Sequence, residues 1–145
     1  MNLDLVALDN AIIARLREQV GALRTVATMD SEERVLEHSS DPLPAAYTLI
    51  NGAVYARELG NSGYQTGDVT VTVFVKTRNL RGDGAARKAT DGAYPLINQI
   101  SDALLGYEPI VCAPLELADI GAVQVKKTSA IYAVKFVART HEASA

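Results

Sequence analysis

The stretch "VTVTVFV" (69–75) limits what this chain can fold into more than any other. Valines at 69, 71, 73 and 75 recur with a period of two, which only an extended strand presents as one apolar face. Thr70, Thr72 and Lys76 make the second face polar, and Phe74 interrupts it. The valine face needs a helical layer or a second sheet against it. Four such valines taken out of water contribute about 1.5–3 kcal/mol each by area, an upper figure. The Phe74 ring asks for cover as well, from elsewhere in the chain or from another subunit.

Two amphipathic segments can supply the cover. Over 3–20, Leu5, Leu8, Ile12, Ile13, Leu16 and Val20 fall on one helical face, and Gly21 follows as a stop. Asp9 lies inside that stripe, either as an N-cap of a later start or at the stripe's edge. The second segment, 91–105, carries Tyr94, Ile97, Ile100 and Leu104 at helical spacing. Pro95 confines its start, so Asp91 is the expected N-cap, and Gly106 the stop.

The remaining strands come from shorter signals. "LRTVAT" (23–28) is β-branched and reads as a strand, while "MDSEERVLEHSSDPLP" (29–44) is polar and reads as a loop with room for one helical turn. Asn51-Gly52 predicts a tight hairpin between strands at 46–50 and 53–58, because a type I′ turn needs positive φ at both central residues. "LGNSGYQTGD" (59–68), with three glycines, reads as a loop, and 107–114 as a connector. Residues 115–140 read as two or three strands around a turn near Thr128–Ala130, followed by a frayed tail at 141–145. The expected fold is therefore α+β: one domain, with two main helices on one face of a mostly antiparallel sheet.

Chemistry is sparse. "RGDGAAR" (81–87) has neither the Walker spacing nor the third glycine of a dinucleotide fingerprint. "GNSGY" (60–64) is one residue short of a nucleophile elbow. His38 and His141 lack metal-ligand spacing, and Glu32, Glu33 and Glu37 read as a solvated face. The only cysteine, Cys112, sits between Val111 and Ala113 and reads as a small buried hydrophobe. One cysteine precludes an internal disulfide and fits a reducing compartment. The first residues lack the pattern of a secretory signal, and no apolar run reaches membrane-spanning length. A formal charge of −3 over 145 residues gives no general reason to bind nucleic acid. Neither a catalytic constellation nor a cofactor is expected.

The order of the pieces is nonetheless distinctive. A leading helix precedes "LPAAYTLINGAVY". Then come "VTVTVFVKTRNLRGDGAARKATDGAYPLINQISDALLGYEP" and "PLELADIGAVQVKKTSAIYAVKFVAR". This resembles the phage Mu-like tail-terminator family of contractile-tailed phages, over roughly residues 3–140. The resemblance implies a virion protein without a cofactor, assembled in the host cytoplasm as a homo-hexameric ring. Such a ring caps the tail tube, stops its growth and joins the neck, with the tube, the sheath and a head-completion protein as partners. The genome passes its lumen without sequence-specific contact. On this reading Phe74, Lys76, Arg78, Leu80, Arg81 and Arg87 form a subunit, tube or neck interface. The alternatives are a head–tail joining protein of similar size, or a ligand-binding enzyme with a polar pocket from Arg81, Asp83 and Lys88.

Overall fold

The fold was obtained as a computed structural model. It describes residues 4–37, 40–55, 64–78, 92–109, 114–126 and 128–143. The first helix, α1 (Leu5–Gln19), starts at Asp4, whose carboxylate accepts from the Ala7 N–H at 3.0 Å. This is the usual N-cap arrangement, satisfying one of the orphan donors of the first turn. Asp9 is therefore not the cap. It lies at the edge of the stripe and accepts a hydrogen bond from the buried Thr48 hydroxyl. The helix closes at Val20, whose N–H reaches the Leu16 carbonyl, and Gly21 follows without positive φ.

A five-stranded sheet runs in the order β1-β2-β3-β5-β4. Its strands are β1 (Thr25–Thr28), β2 (Ala45–Tyr55), β3 (Tyr64–Arg78), β4 (Glu116–Val125) and β5 (Ser129–Ala143). Only β1 and β2 are parallel; the other neighbours are antiparallel. Among the described residues two further helices are α2 (Glu32–Glu37) and α3 (Ala93–Leu104). The α+β expectation, with two main helices on one face, matches this architecture.

Each face of the sheet has its own core. On the first, Val69, Val71, Val73 and Val75 pack with Phe136, Val134 and the stripes of α1 (Leu8, Ile12, Leu16) and α3 (Leu96, Ile100, Leu104). Arg15 ties the two helices together by donating to the Ala103 carbonyl at 3.0 Å and lying 4.8 Å over the Tyr107 ring. On the second face, Tyr47, Phe74, Ile131 and Ala133 gather with Val35 of α2. That short helix occupies part of the stretch expected to be a loop. Ser31 supports its start by accepting from the Arg34 N–H at 3.3 Å. A six-residue helix cannot stand alone in water, so Val35, fully buried, is what holds it.

The hairpin expected at Asn51-Gly52 is absent. β2 passes straight through, with a register shift in which Ile50 faces Val71 and Gly52 faces Thr70, leaving Asn51 as the extra residue of a bulge. Gly52 does take a positive φ of 136°, the property that suggested a turn. Asn51 accepts from the Thr72 hydroxyl at 2.6 Å, fastening the bulge to β3. β3 accordingly begins at Tyr64 rather than 69. At the other end, β5 continues through Ala143, so His141–Ala143 belong to a paired strand. The α3 cap is Gly92, and Gly106, at φ 79°, ends that segment as expected. The proposed cap Asp91 lies outside the described residues, as do Cys112 and His38.

Candidate assembly surface

The residues predicted to form an interface divide by depth. Phe74 is 3% exposed, held by Val35 and Tyr47 beneath α2. A surface contribution at this place would therefore come through α2 rather than through the ring. Lys76 is also buried, while Arg78, at the end of β3, is exposed. Leu80, Arg81 and Arg87 lie outside the described residues, as do Asp83, Lys88 and the glycines around them.

Lys76 sits in a polar corner with Asp41, Tyr47 and Lys126. Tyr47 donates to the Asp41 carboxylate at 2.8 Å. Burial, then that hydrogen bond and the carboxylate's charge, hold the Tyr47 phenol well above its ordinary range. Burial first, and the Lys126 charge second, push the Lys76 ammonium below its usual 10.5, against a smaller opposing pull from Asp41. The unfolded chain keeps this proton up to about 10.5, whereas the folded chain releases it earlier. Stability therefore rises with pH between the two values. Above about 10 the Tyr47 phenol acts the other way, because the unfolded chain ionises first. Lys76→Met is expected to raise the melting temperature at pH 7 and to flatten the rise on approach to pH 9.5. Thermal melts across that range would decide; a lower melting temperature at pH 7 would mean that the Asp41 contact outweighs the burial cost.

A second surface went unmarked in the sequence. β4 is an edge strand, and all seven residues from Glu116 to Ala122 are exposed. Leu117 and Ile120 pair with Phe136 and Val134, and Val125 with Ala130, so all three point to the helix-bearing side. They stay 39–45% exposed because α1 and α3 cover β2, β3 and β5 but stop short of β4. Between α3 and β4 the missing cover leaves a groove of about 300 Å³, lined by Tyr94, Ile97, Ile120 and Tyr132. Tyr94 and Tyr132 meet edge to face there, centroids 6.1 Å apart. Tyr94, expected on the buried stripe of the second helix, is 42% exposed for the same reason. Alternation in "LELADIGAVQV" signals a strand; nothing in it says that the strand is an edge.

No group of metal-binding side chains occurs among the described residues, and no described helix is long and apolar enough to cross a membrane. Among solved structures, a chain from the "virion of native gene transfer agent (GTA) particle" is similar in fold. It has a TM-score of 0.58 and 19% identity over 93% of this chain and 95% of that one. No curated protein matches the sequence. The family described as phage tail terminator protein matches residues 1–143. With nearly the whole chain covered, this protein belongs to the phage tail terminator family.

Proposed function

We propose that this protein closes a homo-hexameric ring on the head-proximal end of a phage tail, ends growth of the tube and joins the tail to the neck. Its membership of the tail terminator family over residues 1–143 carries the reading and makes it a structural protein of the virion, assembled with other tail components. A closed ring of identical copies requires two different patches on each chain, related by a rotation that closes. Arg78, exposed at the end of β3, with Leu80, Arg81 and Arg87 beyond it, belongs in this proposal to the surface that meets the tube or neck. Phe74 and Lys76 support it from beneath. One side of the ring matches the last ring of the tube, and the other refuses further tube subunits. That refusal ends growth.

The test is electron microscopy of particles made without this protein. Overlong tails, or tails that never join heads, are expected. Tails of normal length attached to heads would overturn the proposal.

A further inference from the structure

Among the described residues the two edges of the sheet are both open, and each lacks what the other has. On the β4 side, seven successive exposed residues, Glu116–Ala122, leave one set of backbone donors and acceptors unpaired by any other described strand. Their helix-side face carries Leu117 and Ile120 with no described helix above them. Strand edges of this length, if left bare, invite pairing with another chain.

On the opposite side, β1 covers only the first part of β2. Its last residue, Thr28, pairs with Thr48, and among the described residues Leu49–Tyr55 have no strand on that flank. This open length is also seven residues, about 23 Å. Here the helical cover continues without a strand below it. Arg17 donates to Val26 of β1, and Asp9 accepts from Thr48 of β2, so α1 runs antiparallel to β2 with its start toward the Tyr55 end. Leu5 lies one turn before Asp9 and continues the buried stripe of Leu8, Ile12 and Leu16, yet it is 44% exposed. Val6 beside it is 71% exposed. The stripe has run past the end of β1, while β2 continues beneath it.

We propose that β4 of one copy pairs with the open length of β2 in a second copy, so that the second copy's Leu5 and Val6 enter the groove between α3 and β4. The inference rests on the ring reading and supplies its subunit contact. An uncovered strand meets an overhanging helix, the helix layers of the two copies become continuous, and two apolar side chains enter a groove of about 300 Å³ lined in part by Tyr94, Ile97, Ile120 and Tyr132. The two patches lie on opposite flanks of one sheet, so each copy keeps a free edge after pairing once. This is the heterologous contact that a ring needs.

Cysteine cross-linking in purified tails, and in free protein, tests it. Chains carrying both Leu5→Cys and Ile120→Cys, treated with a short bismaleimide, should give a ladder of covalent multimers. A mixture of the two single variants should give dimers only, and either variant alone no more than the parent chain with its native Cys112. If the particles show a ring by electron microscopy but the double variant gives no ladder, the contact is overturned and the ring stands. If no ring is present, both fall. Ile120→Lys serves as the second variant: ring formation should drop at least tenfold while the melting temperature of the monomer stays within about 2 °C. Undiminished ring formation would also overturn the contact.

Discussion

Phe136→Ala is expected to lower the free energy of unfolding by about 3–5 kcal/mol. The side chain is fully buried, at the centre of the core between the sheet and the two long helices. β5 pairs on both sides here, with Val71 of β3 and Leu117 of β4. The backbone around Phe136 is thus fixed by two ladders and cannot close over the space that a missing ring leaves, which puts the cost toward the upper end. For a domain of this size the melting temperature should fall by roughly 6–20 °C. Natural domains hold only about 5–15 kcal/mol in all, so the variant would be near the limit of folding. Lys135→Ala, one residue away but exposed, is the control and should change stability by less than about 0.5 kcal/mol. Urea unfolding followed by circular dichroism measures both. A Phe136 variant within 1 kcal/mol of the parent would mean that this core is not packed as described.

The pattern that leads to this prediction was the most legible part of the chain. Period-two valines at 69–75 and helical stripes in α1 and α3 depend on burial of one face, and burial repeats over many residues. Short signals misled because one residue property serves several structures. Gly52 offers positive φ, which a type I′ turn needs and which this bulge also uses; only the pairing of β2 with β3 decides between them. α2 has one fully buried residue, Val35, and its six residues carry no periodicity that could be read. β5 runs on to Ala143 through polar residues because β3 pairs with it there, a reason that lies some 75 residues away in the chain. The exposed flank of β4 is less visible still. Leu117, Ile120 and Val125 look like core residues until the order of strands places them at an edge.

The position of Phe74 leads to the second large effect: Phe74→Ala should destabilise the isolated monomer by about 3–5 kcal/mol. The sequence left two covers open for this ring, one from within the chain and one from another subunit. Its 3% exposure in a single chain, with Val35 and Tyr47 beside it, makes the cover internal. The loss should be uneven. α2 is anchored through Val35 to the cluster that Phe74 completes, and six helical residues have little stability of their own. Backbone amides of Glu32–Glu37 should therefore exchange with solvent faster by a larger factor than those of α1, which packs on the opposite face. Arg78→Ala, four residues along the same strand and exposed, should leave the monomer within about 0.5 kcal/mol. Measurements belong at concentrations where the chain is monomeric, since assembly would add its own stability by mass action. Equal, negligible losses from both substitutions would show that the ring contributes only between subunits. A loss confined to Phe74 would place it in the fold, where it shapes the α2 surface from below.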